Sequence, residues 1–410
     1  MRRSAAIVLL TIGSAACGGN TGPEPLLDAL PRALSPAELR IVDAANQFTF
    51  GLVREATRGL PPDSNAFLSP LSASFALGMT LNGARAETEQ AMRSALGFGG
   101  ATMAEINQGY RDLIELLTGL DRTTEMRIAN SLWGSSAFPM RQEFTDAART
   151  WFDAEVRSLD FRSPAAVGTI NDWVKTKTAG RIPKLLDAIR ADEVLFLINA
   201  IYFKGAWRVQ FDRGKTRDAP FTGADGRARQ VPMMSLDATP LRYAATSAFQ
   251  AVDLLYGNGA FAMTVLLPSP GKTPADVLTT LDPASWSALV DQVGEHKVAL
   301  GLPRFRVEYG ARLNAALAAL GMGIAFDDQR ADLSGIADVA PERLYLTRVD
   351  QKAFVEVNEE GTEAAAATAV GVGLTSAPPS VIVDRPFLFL IRERFSGTIL
   401  FVGLIQQLGA

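Results

Sequence analysis

The chain has one histidine, His296, and one cysteine, Cys17, among its 410 residues. Those two counts bound the chemistry it can perform. A disulfide framework or a multi-thiolate metal site needs several cysteines, so neither is expected. A Ser-His-Asp hydrolase would have to route its proton transfers through His296. That residue opens HKVALGLPRF, which reads as the start of a strand, and its plainer reading is structural or surface. Ser69 and Ser72 could be offered as nucleophiles, yet no base sits near them in sequence, and hydroxyls bonded to backbone are the plainer reading. Gly257, Gly259 and Ala262 fit G-x-G-x-x-A, but VDLLYGNGAFAMTVLLP is strand-turn-strand where dinucleotide binding needs strand-turn-helix. Gly271-Lys272-Thr273 lacks the earlier glycine of a phosphate loop, whose place holds Leu266. Asp327, Asp328 and Asp332 lack the spacing and glycine of a calcium loop, and no Gly-x-Ser-x-Gly turn occurs. No cofactor is expected, and catalysis is disfavoured.

A different chemistry is offered by residues 359–380, EEGTEAAAATAVGVGLTSAPPS. The run is made of small residues, with no large hydrophobe before Val370. Four alanines at 364–367 favour helix, but nothing apolar recurs at helical spacing to hold one down. A connection this long without an element of its own is uncommon in a compact domain and is usually functional or disordered. Such a segment suits exposure at one time and a tight fit at another. Residues 344–361 before it, LYLTRVDQKAFVEVNEEG, read as one long strand, and residues 381–405 after it as two or three more. The bland reading of the run is a surface loop with no task.

The elements that must position it follow from capping and periodicity. Ser35-Pro36 starts a helix, with Ser35 as N-cap and Pro36 first, whose Leu39, Val42, Ala45, Phe48 and Leu52 form one buried face. Residues 65–84 read as a short strand turning into an apolar helix at Pro70, and helices follow up to Gly97 and over 104–117. A strand over 126–133, helices over 141–152 and 165–178, and the apolar run EVLFLINAIYFKGAW at 193–207 come next. That run has the composition of a central strand buried on both faces. Further strands, two helices and a helix over 311–326 stopped at Gly321 complete the pattern.

Composition is that of an ordinary globular chain, 48% hydrophobic and 20% charged. The net charge of −4 gives no footprint for nucleic acid. Residues 1–17 read as a targeting segment: Arg2 and Arg3, the apolar run AAIVLLTI, then GSAAC. The apolar stretch is too short to span a bilayer. Small residues before the sole cysteine resemble a bacterial lipobox with Cys17 lipidated, although Ser14 stands where leucine is usual, so plain secretory cleavage stays open. The expected organisation is a signal peptide over 1–17, a flexible tether over 18–34 and one domain over 35–410. The expected location is the cell envelope or surface, anchored through Cys17, or secreted, with no other membrane contact.

Several segments together resemble the serpin family: NAFLSPLSASFALGMTLNGARAETEQAM, INDWVKTKTAGRIPKLL, LINAIYFKGAW, LPRFRVEYGARLNAALAALGM, VNEEGTEAAAATA and DRPFLFLIRERFSGTILFVGLI. They occur in family order at family-like separations. The resemblance implies an α+β fold, with three mostly antiparallel β-sheets, about nine α-helices and an exposed reactive-centre loop at 359–380. It implies a monomer that is not an enzyme. In inhibitory members a serine protease, sometimes a cysteine protease, cleaves the loop and is held as an acyl-enzyme while the loop enters the main sheet as a new strand. Side chains of an inserted strand alternate, which puts Thr362, Ala364, Ala366, Thr368, Val370 and Val372 on one face and Glu363, Ala365, Ala367 and Ala369 on the other. The first set is small or β-branched and suits burial; the charge falls on the second.

The same resemblance assigns Glu359, Glu360, Gly361, Thr362, Glu363, Ala364, Ala365, Ala366 and Ala367 to the hinge, with Gly361 freeing the backbone to swing. It places the scissile bond at Thr375-Ser376, with Leu374-Thr375 as the alternative. Without Arg or Lys near either bond, trypsin-like targets are disfavoured, and elastase-, subtilisin- or chymotrypsin-like enzymes fit better. A sheet-opening cluster is implied at Ser69, Ser72, Asn199, Trp207 and Gln351, where Gln351 stands in place of a frequent histidine. The helix over 104–117 has only Arg111 as a basic residue, so a heparin-type cofactor is not indicated. Two rivals remain: a non-inhibitory serpin-fold binding or chaperone-like protein, and a hydrolase using His296.

Overall fold

Ser35 and Glu38 begin the first helix by capping each other. The Ser35 hydroxyl accepts from the Glu38 amide at 3.2 Å, and the Glu38 carboxylate accepts from the Ser35 amide at 2.7 Å. The structure, a computed structural model, describes residues 25–190, 192–362 and 378–409. Helix α1 (Pro36–Thr57) buries Ile41, Ala45, Phe48 and Leu52. Leu39, expected on that face, is 50% exposed, because it lies roughly 150° round the helix from the stripe these residues form.

Strand β1 (Ala66–Leu68) passes at Pro70 into α2 (Pro70–Leu81), which is buried on nearly every side. Then come α3 (Ala86–Ala95), α4 (Met103–Gly119), β2 (Glu125–Ser135), α5 (Gln142–Phe152), β3 (Glu155–Leu159) and α6 (Ala165–Lys177). Strands β4 (Leu195–Ala206), β5 (Arg217–Thr222), β6 (Ala228–Ala245), β7 (Phe249–Leu255) and β8 (Phe261–Pro268) follow. Helices α7 (Pro274–Thr280) and α8 (Pro283–Gln292) lead to β9 (Gly294–Pro303) and β10 (Phe305–Arg312). The helix expected over 311–326 is shorter: β10 takes Ala311 and Arg312, α9 spans Asn314–Leu317, and looser turns follow, with Gly321 at φ +100. The chain ends with β11 (Asp350–Asn358), β12 (Gly361–Thr362), β13 (Ser380–Ile382), β14 (Phe387–Glu393) and β15 (Ile399–Ile405).

The smaller sheet has the order β10-β11-β12-β4-β2-β3, antiparallel except for β2 with β3. The other nine strands form two groups that share β6. Its first half pairs with β5 and its last residues pair with β7, beyond a register shift between Leu236 and Thr239. The three expected sheets are these two groups and the smaller sheet. Helix α2 packs against β4 on one side and β15 on the other. Phe67 of β1 stacks on Phe389 and Phe401 at 5.7 and 5.2 Å, closing the core between the sheets. Nine α-helices are present among the described residues.

The end of the expected tether is not free. The Leu27 amide donates to Asn258 O at 2.8 Å, Arg32 pairs with Glu38 at 2.6 Å, and Leu27, Leu30 and Leu34 pack on the core. Apolar side chains at 27, 30 and 34 gain more from burial than a solvated linker would leave them.

Deep in the larger sheet, the fully buried Arg392 donates to Asp253 at 2.7 Å, to Thr264 Oγ1 at 2.9 Å and to Arg394 O at 2.9 Å. Removing one partner of such a pair leaves a charge in low dielectric, which costs about 3–5 kcal/mol. Asp253→Asn is therefore expected to lower the stability measured by urea unfolding by an amount in that range.

Candidate functional site

The strand expected over 344–361 is shorter and ends in a reversal. Residues 344–349 form no strand; β11 starts at Asp350 and stops at Asn358. Asn358 Oδ1 accepts from the amides of Glu360 at 3.0 Å and Gly361 at 3.3 Å, a side-chain turn that folds the backbone back. Gly361 and Thr362 then run as β12 between two strands. Thr362 sits opposite Val357 of β11 and Gly205 of β4, and Gly361 sits opposite Asn358 and Ala206.

The hinge expected to be exposed is thus anchored at its start. Glu359 is only 2% exposed. Its carboxylate accepts from Thr216 Oγ1 at 2.7 Å and pairs with Arg304, while Glu360 pairs with Arg213. Their carbonyls are held as well: Phe211 N donates to Glu359 O at 3.0 Å and Trp207 N to Glu360 O at 2.9 Å. Gly361 makes a close approach to β4. A Cβ there would lie 2.2 Å from Gly205 O and 2.8 Å from Ala206 Cα, so no larger residue fits without moving β4. Thr362 is buried, and its hydroxyl is 2.8 Å from the phenol oxygen of Tyr256. Burial pushes the Tyr256 phenol well above its ordinary pKa, so it is neutral and can donate. Its ring stacks on Trp207 at 4.5 Å, and Trp207 Nε1 donates to Asn358 O at 2.8 Å. Trp207 therefore stands at the entry of β12, apart from Ser69, Ser72, Asn199 and Gln351, with which it is grouped in the expected cluster.

Four residues of the expected sheet-opening cluster, Ser69, Ser72, Asn199 and Gln351, lie together. Gln351 Oε1 accepts from Ser69 N at 3.0 Å and its Nε2 donates to Ser69 O at 2.7 Å, a two-way clasp between β11 and the start of α2. Ser69 Oγ donates to Leu400 O at 2.8 Å, and Ser72 Oγ to Asn199 O at 3.3 Å. Both hydroxyls thus spend their protons on backbone, which is the plain reading and not that of a nucleophile. Asn199 Nδ2 donates to Asn130 Oδ1 at 2.6 Å, while Asn199 Oδ1 is buried without a hydrogen-bond partner. His296 lies exposed on β9, in the other sheet, with its ring edge-on to Tyr243 at 5.7 Å.

Past Thr362, β4 and β11 pair with each other nowhere among the described residues. A pocket of about 20 Å³ begins beside Thr362, Phe203 and Val355. A larger cavity of about 460 Å³ continues along the two strands, over a floor that includes Ser72, Ala73, Ala76 and Leu77 of α2. Leu195, Leu197 and Asn199, on the run expected to be buried on both faces, are only half-buried where they line it. At its far end Arg348 bridges the two sides: it pairs with Glu193 at 2.8 Å and donates to Ala188 O at 2.8 Å. Glu363, Ala364, Ala365, Ala366, Ala367, Leu374, Thr375, Ser376 and Cys17 lie outside the described residues. Tyr256 and Arg304 were missed from sequence. Tyr256 opens the YGNG turn, read from sequence as a strand-turn-strand connection with no part in the site, and Arg304 lies in LPRF, where nothing local marks its partner.

Burial alone would raise the Glu359 carboxyl, but the hydrogen bonds from Arg304 and Thr216 outweigh it and hold its pKa below the ordinary value. A depressed carboxyl adds stability that is fully present above the ordinary value and is lost as pH falls through its own lower one. Glu359→Gln is expected to cost roughly 1–2 kcal/mol at neutral pH. It should also flatten the acid limb of a stability-against-pH curve; an unchanged acid limb would mean that the pair contributes nothing.

Comparison with known proteins agrees with this geometry. The family described as Serpin (serine protease inhibitor) matches residues 43–407. Leukocyte elastase inhibitor of Sus scrofa is 37% identical over 380 residues, 89% of this chain and 99% of its own length. Antithrombin-III of Mus musculus is 31% identical over 389 residues, 92% of this chain and 84% of its own. Among solved structures, the thermophilic serpin tengpin in the native state aligns with a TM-score of 0.83 at 27% identity, covering 94% of this chain and 97% of tengpin. Thyroxine-binding globulin in complex with thyroxine aligns with a TM-score of 0.80 at 28% identity, over 89% and 98%. The match takes in the hinge, the cluster and both strands beside the cavity, and the chain belongs to the serpin family.

Proposed function

We propose that the protein is a suicide inhibitor of serine proteases whose reactive loop, once cut, enters the small sheet between β4 and β11. The observation that carries this reading is β12, a two-residue strand already seated at the head of a cavity that runs on between the same two strands. A strand inserted at that register would bring position 364 opposite Phe203 and Val355, position 366 opposite Ile201 and Ala353, and position 368 opposite Asn199 and Gln351. Val355 and Ala353 are buried, as are Phe203 and Ile201, so this face accepts only small side chains. Ala364 and Ala366 meet that demand. Thr368 would bring a hydroxyl to the level of Asn199, whose Oδ1 lacks a partner.

In the proposed sequence of events the protease serine attacks the carbonyl of Thr375 and Ser376 leaves as the new amine. The ester holds the protease while the severed strand inserts, and insertion must outrun hydrolysis of that ester. The loop carries no basic residue near the bond, and Val372, Leu374 and Thr375 fit elastase-, subtilisin- or chymotrypsin-like pockets. A similar protein named for its elastase inhibition supports the first of these. The rival is a non-inhibitory binding protein, favoured by a solved relative that carries thyroxine.

Incubation with elastase-, subtilisin-, chymotrypsin- and trypsin-like proteases, followed by denaturing gels, separates the two. A covalent band with one of the first three is expected, and the released peptide should begin at Ser376. Cleavage without a band in every pairing, and without a gain in thermal stability, would overturn the proposal. Thr362→Arg should convert inhibitor to substrate, because a guanidinium would have to enter the buried site beside Tyr256. Undiminished complex formation by that variant would refute insertion through this seam. We further propose attachment through Cys17, on the strength of the residues before it. Cys17→Ser is expected to move the protein from the membrane fraction to the soluble one.

A further inference from the structure

We propose that residues 26–34 act as a strap whose job is to steady the seat of the hinge, which they do not themselves touch through any described hydrogen bond or ion pair. The turn between β7 and β8, residues 256–260, is the common support. On one side it faces the hinge: Tyr256 meets Thr362 at 2.8 Å, and Gly257 N donates to Ala206 O at 2.9 Å, beside the residues that flank β12. On the other side it carries the strap. Leu27 N donates to Asn258 O at 2.8 Å, and Arg394 forks between Gly259 O at 2.6 Å and Leu27 O. Leu26 lies so close to Gly259 that a Cβ there would come within 2.6 Å of its Cδ1. From below, Asn258 Nδ2 donates to Leu120 O at 2.9 Å and Asn258 N to Asp121 Oδ2 at 3.2 Å.

Without the strap, Asn258 O and one arm of Arg394 lose their partners and Leu26 no longer braces Gly259. The turn then holds Tyr256 less firmly, and Thr362 with it. The consequence for trapping rests on the inhibitory reading; the consequence for hinge mobility does not.

Amide hydrogen exchange on the full chain tests this against two variants: deletion of residues 18–34, and Leu27→Pro, which removes the amide donor together with the leucine side chain that packs on the core. Peptides covering 204–211 and 356–362 are expected to exchange about fivefold faster in both, the change set by loss of roughly one net hydrogen bond. Peptides from β3 should be unaffected. Unchanged exchange at 356–362, or an equal rise in β3, would overturn the strap. Covalent complex formation is measured in parallel. Where the wild type traps a protease, the variants should yield more cleaved, uncomplexed protein. If the wild type traps none, the inhibitory reading fails and the exchange data still decide the strap.

Discussion

The close approach of Gly361 to β4 is the contact on which the functional geometry turns. With no side chain at 361, the backbone lies against Gly205 O and Ala206 Cα at distances that a Cβ could not share. Because two glycines face this crossing, the chain can reverse after Asn358 and enter the sheet within two residues. The contacts at the head of the site presuppose that entry. Tyr256 can bond Thr362 only because Thr362 is inside, and Trp207 can seal the entrance only because Asn358 and Glu360 present their carbonyls to it.

The electrostatics around this entry are arranged to hold it. A carboxylate at 2% exposure would be costly if left alone, yet Glu359 has Arg304 and Thr216 as partners, and Arg304 is itself half open to water. The charge is thereby shared between a dry carboxylate and a wet guanidinium, which lowers the desolvation cost of the pair. Glu360, more exposed, pairs with a still more exposed Arg213 and contributes less. The start of the hinge, from Glu359 to Thr362, is therefore fixed.

Much of this was legible in the sequence, and the failures have physical causes. The cap of α1, the start of α2 at Pro70 and the small residues of the hinge follow from local chemistry or from motif, and of the expected cluster the structure brings Ser69, Ser72, Asn199 and Gln351 together but not Trp207. The reversal at 359–360 was not legible. Leu344, Tyr345 and Leu346 have strand composition, but the segment is claimed by contacts to residues distant in sequence, such as Tyr345 with Asp192 and Arg348 with Glu193. Asn358 looks like one more polar residue at a strand end until its side chain is seen to make the turn. Leu39 was misplaced because spacing alone accepts any residue three positions from the next apolar one, whereas the angle round the helix rejects it.

The two ends of the seam are held by different means, and this difference gives it a direction. At the head, β12 already supplies both neighbours with backbone partners, and the residues around it are aromatic and closely packed. At the foot, the sides are joined by side chains: Arg348 to Glu193 and Ala188, Tyr345 to Asp192, and Lys352 Nζ to Lys184 O at 2.6 Å. Side-chain bridges can be broken one at a time and partly repaid by water, whereas a buried strand edge regains its lost bonds only from another strand. A strand growing from Thr362 would therefore gain two ladders of backbone bonds at each step before it met the polar bridges at the far end. Growth in the opposite direction would have to break those bridges first. Under the proposed inhibitory reading, the seam would fill from the hinge downward.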